Sequence, residues 1–200
     1  TPALAGLLFT PYIYQHLDAE QFGILTLIWA IIGYFSLFDM GAGRALTYKL
    51  SRSINLPQKQ IAQIVSSGIF FTILLGSLGA LFVTIIANKS LISVLNFSSN
   101  ISDDALLAFK ICSIGALITT INRGIIGIYE GLNMFKFSNV NKSFVGIIMF
   151  GAPALAINFN FSSLWQITLT LICFRFLVII FSLSTLRKYL TTRGVFKIGI

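Results

Sequence analysis

Several charged side chains stand inside or beside long apolar runs, where ion pairing or ligand chemistry must account for them. Arg175 lies near the centre of the last run, between Phe174 and Phe176. An arginine at the centre of a membrane-spanning helix costs about 2.5 to 3.5 kcal/mol on insertion scales, so it needs a partner or water. Two interpretations stay open: an ion pair with Glu130 or Asp39, or a ligand for an anion in a polar cavity. A guanidinium forks onto phosphate oxygens, which suits a pyrophosphate better than a sugar hydroxyl.

A second basic residue, Arg123, shares an apolar run with Glu130. Seven residues of helix bring the two side chains back to one face, about 10 Å apart along the axis. Arg123 is the deeper of the two, and we expect it to face the interior of a bundle. Glu130 is close enough to the end of the run to be solvated.

The most specific local pattern joins an acidic and a basic residue at the end of the second apolar run. Asp39 and Arg44 are separated by a stretch that contains Gly41 and Gly43. The glycines allow the chain to leave the helix and bring the two charges together. The pair is interpreted either as a salt bridge at the helix end or as a substrate contact, with a role in stability or gating in both cases.

The composition indicates a membrane protein without a catalytic centre. The 200 residues are 56% hydrophobic and 10% charged, against about 25% charged in ordinary soluble domains. The net charge of +8 does not indicate nucleic acid, because the 19 phenylalanines lie within the apolar runs instead of beside a basic stripe. Cys112 and Cys173 are interpreted as small buried hydrophobes, with no disulfide, metal or cofactor implied. An enzyme would need carboxylates or histidines at an aqueous face, and the short outer loops hold one histidine.

Six apolar runs predict an all-α integral membrane bundle of six transmembrane helices, because in lipid each run can satisfy its backbone only as helix. The predicted spans are residues 3–14, 22–39, 61–87, 105–129, 143–157 and 164–186. The first is shorter than the roughly 20 residues that a span needs, so we expect residues to precede it. Ser102, Asp103 and Asp104 are interpreted as the start of the fourth span. Pro11 and Pro153 are expected to kink helices that line a cavity.

Basic residues alternate between loops, which predicts the orientation. Residues 41–60, the loop near residue 134 and the tail are rich in lysine and arginine, and short loops of that kind stay on the cytoplasmic side. We therefore expect a chain that crosses a membrane several times with its basic loops on the cytoplasmic side. Ten of the 14 basic residues lie there: Arg44, Lys49, Arg52, Lys59, Lys136, Lys142, Arg187, Lys188, Arg193 and Lys197.

Three segments together resemble the polysaccharide biosynthesis flippases of the O-antigen type, within the multidrug/oligosaccharidyl-lipid/polysaccharide exporter superfamily. Residues 15–23 (QHLDAEQFG) resemble the family's loop after its first helix. Residues 37–51, with their aspartate and two glycines, and residues 129–135 (YEGLNMF), which resemble the turn after the fourth helix, follow in the family's order. The resemblance covers almost the whole chain.

The resemblance implies that residues 1–200 form the N-terminal lobe of a two-lobe, MATE-like transporter whose second lobe is not in this sequence. The implied activity is movement of an undecaprenyl-pyrophosphate-linked oligosaccharide, an O-antigen or capsule repeat unit, from the cytoplasmic to the periplasmic leaflet by alternating access. Arg175 and Arg123 would bind the pyrophosphate in a polar cavity, and Asp39, Arg44 and Glu130 would serve gating or ion coupling. Membrane lipid, a polysaccharide polymerase and a chain-length regulator are candidate partners. The alternative is a cation-coupled multidrug exporter of the same superfamily, against which Arg175 argues.

Overall fold

The computed structural model describes residues 2–37, 41–53, 57–88, 95 and 97–192. These residues form helices and turns and contain no strand, so the predicted all-α class is confirmed. The helices are α1 (Pro2–His16), α2 (Ala19–Leu37), α3 (Ala42–Ser51), α4 (Gln58–Ile86), α5 (Ser99–Gly131), α6 (Phe135–Asn158) and α7 (Leu164–Thr192).

Four of these helices, α4 to α7, are long and apolar enough to cross a membrane. The 33 residues of α5 extend about 50 Å, well beyond the roughly 30 Å of a hydrocarbon core. Of the six predicted spans, of which the first is expected to be truncated, four are long enough to cross a membrane within the described residues. α1 has 15 residues, or about 22 Å, and α2 contributes a shorter apolar stretch at Ala19–Phe35. The whole is an all-α membrane bundle.

The prediction that residues 41–60 form a loop is wrong for their first half, which contains the amphipathic helix α3. The helix follows Gly41, whose φ of 77° lies in the left-handed region that glycine adopts without steric cost. Leu46 and Leu50 are buried, whereas Arg44 on the other side is exposed. The basic residues of this segment therefore lie on the exposed side of a short helix, whose apolar side packs on the bundle.

Glycines let α3 and α5 approach closely. A Cβ at Gly127 would collide with the backbone of Gly43, and one at Gly131 would lie 2.6 Å from the Cβ of Leu50. Thr47 Oγ1 donates a hydrogen bond to the carbonyl oxygen of Gly127 at 3.0 Å. The four-residue spacing of these α5 glycines predicts that another helix packs closely against them. This prediction is confirmed, and the partner is α3, which the sequence pattern does not predict.

The start of α5 differs from the prediction. The helix begins at Ser99, and Glu20 of α2 accepts hydrogen bonds from the backbone nitrogen (2.6 Å) and the hydroxyl (2.8 Å) of Ser98 just before it. The interpretation of residues 102–104 as a helix start is thus wrong, because they lie within the first turns. Asp104 instead accepts hydrogen bonds from the backbone nitrogens of Leu164 (2.8 Å) and Trp165 (3.2 Å). It stabilises the N-terminus of α7, where unpaired amides favour a carboxylate.

The last two helices are also longer than predicted. α6 begins at Phe135, not at 143, so the expected loop near residue 134 is a short turn in which Asn133 adopts a φ of 59°. α7 continues to Thr192. Both prolines lie within continuous helices, Pro11 exposed and Pro153 buried. Neither proline lines the two concavities described below, although the helix that contains Pro153 contributes to one of them. The expected kinks stay a prediction.

Two apolar clusters divide the interior along the bundle. The first surrounds Phe109 of α5 and joins it to α1, α2, α6 and the start of α7. The second surrounds Tyr129 and joins the other half of α5 to α3, α4 and the end of α7. Cys112 is buried in the first cluster as predicted, whereas Cys173 is exposed on the surface of α7, which contradicts its assignment as buried. The site described next lies along α5 where the first cluster ends and the second begins.

Candidate functional site

A cavity of about 230 Å³ lies between α2, α5, α6 and α7. It occupies the part of α5 where the two apolar clusters meet. Three basic residues line it, and none of the described lining residues is acidic. We call it the cationic cavity; its lining residues are Ile32, Gly33, Ile118, Thr119, Asn122, Arg123, Ile126, Lys142, Val145, Gly146, Met149 and Arg175.

Arg175 is the most deeply placed charge, with 5% of its surface exposed. Its guanidinium donates from Nη1 to Thr119 Oγ1 at 3.1 Å and from Nη2 to Met149 Sδ at 3.3 Å. Its Nε is buried and has no acceptor among the described residues. A hydroxyl and a thioether satisfy part of the guanidinium and neutralise none of its charge. Burying a cation in this way is costly unless a counter-charge is nearby.

Glu130, one of the two possible mates for Arg175, does not pair with it. The carboxylate of Glu130 instead accepts from Lys142 Nζ at 2.5 Å and from Ser138 Oγ at 2.9 Å. The other proposed mate, Asp39, lies outside the described residues. Within the part of the chain that the structure describes, the guanidinium therefore has no carboxylate partner.

Arg123 faces the same cavity from α5, as the sequence predicts. It is half-buried, and Thr119 one turn earlier and Ile126 nearly one turn later line the cavity with it. Arg123 lies close enough to Arg175 for their positive charges to repel each other. Two like charges in one small cavity lower the stability of the unliganded state and favour the binding of an anion.

Lys142 is the third basic residue of the cavity, a role that the sequence does not predict. The sequence places it in a loop, because the predicted span begins one residue later, at 143. In α6 it forms one face with Val145, Gly146 and Met149, all of which line the cavity. Their spacing of three, four and seven residues is that of a helix face, and that periodicity is the signal that would have revealed it.

A buried polar network supports the wall of the cavity. The side-chain amides of Asn122 and Asn141 exchange two hydrogen bonds of 3.0 Å, and Asn141 Nδ2 also donates to Ser182 Oγ at 2.7 Å. The hydroxyl of Tyr129 donates to the carbonyl oxygen of Ser182 at 2.7 Å. The network ties α5, α6 and α7 together. Fully paired polar groups of this kind fix one arrangement of the helices.

One residue predicted to act in gating, Arg44, does not belong to this site. Arg44 is exposed on α3 and does not line the cavity. Asp39 cannot be placed because it lies outside the described residues. The predicted charge pair therefore stays a prediction. In the described chain, no group of three His, Cys, Asp or Glu residues is arranged to hold a metal ion.

A second concavity of about 490 Å³ opens between α2, α4 and α5. We call it the apolar groove. Its two side-chain hydroxyls are those of Tyr34 and Thr120, and the latter donates to the backbone of its own helix at Ala116 (2.9 Å). The lining residues are Ile31, Tyr34, Phe35, Leu75, Leu78, Gly79, Phe82, Val83, Ile86, Ala87, Phe109 and Thr120.

Comparison with known proteins agrees with a membrane bundle of this kind. A curated protein of Shigella flexneri, named "Putative O-antigen transporter", is 26% identical over 159 residues, which are 80% of this chain and 38% of that protein. The chain thus spans well under half of that relative's length. No solved structure matches the present chain. The family described as "Polysaccharide biosynthesis protein" matches residues 1–199, so the chain belongs to that family.

Proposed function

We propose that this chain is the first lobe of a flippase that moves an undecaprenyl-pyrophosphate-linked oligosaccharide from the cytoplasmic to the periplasmic leaflet. The observation that carries the proposal is the buried guanidinium of Arg175, which has an unpaired Nε and no carboxylate partner among the described residues. Together with Arg123 it forms a site for a doubly charged phosphate group, whose oxygens match the fork of a guanidinium.

The size of the cationic cavity limits what it holds. Its 230 Å³ is below the roughly 300 to 1,000 Å³ of pockets that enclose drug-sized ligands. The cavity therefore accommodates the pyrophosphate and not the sugar chain. In a two-lobe transporter the sugars would lie in the space between the lobes, where substrate sites at repeat interfaces are usual.

The apolar groove supports the same substrate class. It has room for part of a hydrocarbon chain, and its wall on α4 belongs to the most apolar of the four candidate spans. A polyprenyl tail can stay in this groove or in lipid at little cost, because both are apolar. A cation-coupled multidrug exporter would instead hold organic cations with carboxylates, and the described lining of the cavity is basic.

The setting follows from the proposal. The flippase works in the bacterial inner membrane with its basic loops in the cytoplasm, needs no covalent chemistry, and delivers its product to a polymerase and a chain-length regulator. The bound anion must also leave. Because the two guanidiniums repel each other, part of the binding free energy is spent on holding them together, and the anion can still dissociate.

The test uses cells deleted for the full-length gene and complemented with wild type, Arg175→Met or Arg175→Lys. Wild type should restore surface polysaccharide. Arg175→Met should not restore it and should leave complete repeat units on the cytoplasmic leaflet, although the protein inserts normally, because an apolar side chain of similar volume removes a buried charge at no cost in stability. Arg175→Lys keeps the charge without the fork and should restore transport in part.

The matched control is Arg187→Gln, which removes an exposed arginine from the same helix. It should transport as wild type does. Normal delivery of repeat units to the outer leaflet by Arg175→Met would overturn the anion site, and normal delivery in cells without the gene would overturn the flippase itself.

A further inference from the structure

Lys142 lies between two alternative partners. Its ammonium bonds to Glu130 Oε1 at 2.5 Å, and its side chain lines the cationic cavity with Arg123 and Arg175. Glu130 is seven residues beyond Arg123 on α5, so it lies on the same face nearly two turns closer to the end of the helix. Lys142 therefore stands at the mouth of the cavity, between the carboxylate outside and the two guanidiniums inside.

We propose that Lys142 is a third, mobile ligand for the anionic group, and that Glu130 competes with that group for its ammonium. This inference rests on the proposed function. In the empty site Glu130 holds Lys142 and lowers the repulsion among three cations. When a pyrophosphate enters, the ammonium turns from the carboxylate to the phosphate oxygens. When Glu130 takes it back, the anion loses one of its three ligands and is released.

The contacts of the ion pair fit an exchange. The side chain of Lys142 is 44% exposed and that of Glu130 is 27% exposed, and ion pairs this accessible contribute little to stability, so breaking one costs little. Ser138 Oγ remains bonded to the carboxylate at 2.9 Å when the lysine leaves. Arg123 is also near enough to attract Glu130. The four methylenes of lysine give its ammonium a wide reach, whereas the guanidinium of Arg175 is held by Thr119 and Met149.

Binding to the full-length protein in nanodiscs tests the exchange, with undecaprenyl pyrophosphate as the lipid probe and inorganic pyrophosphate as the free probe. Lys142→Gln should weaken binding of the lipid about tenfold, the loss of one charge-assisted contact. Glu130→Gln should tighten it about tenfold and slow its release by a similar factor. If the free probe shows these shifts and the lipid does not, the site selects soluble anions and the inference fails.

A double variant separates exchange of the lysine from general electrostatics. In the Lys142→Gln background, Glu130→Gln should change binding less than about twofold, because the two residues act on one ammonium. If Glu130→Gln raised the affinity equally in wild type and in Lys142→Gln, Glu130 would act only through the electrostatic effect of its negative charge on the anion. That result would overturn the inference. The matched controls are Lys136→Gln on α6 and Asp103→Asn on α5, both exposed and both expected to bind as wild type.

The Arg175→Met variant distinguishes this inference from the proposed function. If Arg175→Met loses the lipid while Lys142→Gln keeps wild-type affinity, the anion site stands and the mobile ligand is wrong. If Arg175→Met binds as tightly as wild type, the anion site itself is wrong.

Discussion

The cationic cavity and the apolar groove lie side by side and share two helices, yet they differ completely in chemistry. On α2, Ile32 and Gly33 line the cavity, whereas Ile31 lines the groove. On α5, Thr119 lines the cavity and Thr120 the groove. Consecutive residues point in directions about 100° apart in a helix. A single turn of α2, and likewise of α5, therefore lines the cationic cavity on one side and the apolar groove on the other.

Under the proposed function, the difference matches a ligand that is part ion and part hydrocarbon. The cavity concentrates three basic groups, and a network of paired amides supports its wall. The groove needs no such support, since apolar surfaces there meet an apolar surrounding. A pyrophosphate and a prenyl chain would thus be recognised by adjacent surfaces with opposite requirements.

The strongest way to break the comparison is to place a carboxylate in each region. Met149→Glu puts an acidic group where the thioether now accepts from Arg175 Nη2. We expect affinity for undecaprenyl pyrophosphate to fall about 100-fold or more, because a built-in counter-ion replaces the ligand. Leu78→Glu in the groove should leave affinity for inorganic pyrophosphate unchanged and should lower insertion efficiency, since a charge in contact with lipid is costly.

Binding measured in nanodiscs, together with the yield of inserted protein, checks both variants. Met149→Glu should insert at least as well as Leu78→Glu, because its charge is paired. If Met149→Glu bound the lipid as wild type does, the cavity would not be the anion site.

A smaller effect is expected from filling the groove. Leu78 lines it and is 56% exposed, while Leu81, on the same helix, is 57% exposed and does not line it. Leu78→Trp should weaken binding of the prenyl lipid about tenfold, by excluding a few methylenes at about 0.8 kcal/mol each. Leu81→Trp should not, and neither change should alter binding of inorganic pyrophosphate. Equal loss in both variants would mean that the groove does not hold the tail.

The sequence predicts the bundle and its deepest charge because both depend on strong, local signals. Long apolar runs in lipid have few structural solutions, and an arginine among phenylalanines is visible without a structure. The partners of Arg175 could not be predicted from the sequence. Thr119 and Met149 contact Arg175 from two other helices, and neither residue type indicates such a contact.

Most differences between the predicted and the observed structure lie at helix ends. Lys142 and Asn141 were placed in a loop because charge and polarity mark the edge of a hydropathy run, yet the helix continues through them. α3 was missed for the same reason, since its apolar face is narrow and its exposed face is basic. Polar residues inside helices near a membrane surface are therefore the ones that hydropathy misassigns. Here they include Lys142, which lines the cationic cavity, and Asn141 at the centre of the amide network.

The finest test of the comparison uses the two adjacent threonines. Thr119→Val removes the acceptor of Arg175 Nη1, and leaving that buried donor unpaired should lower the free energy of unfolding by about 1 to 3 kcal/mol. Thr120→Val removes a hydroxyl that bonds only within its own helix among the contacts described, and should change stability by less than about 0.5 kcal/mol. Thermal unfolding in detergent, with and without undecaprenyl pyrophosphate, measures both. The lipid should stabilise Thr119→Val more than wild type, because phosphate oxygens replace the lost acceptor, and should stabilise Thr120→Val as much as wild type. A deficit in Thr119→Val that the lipid does not reduce would show that the anion never reaches Nη1.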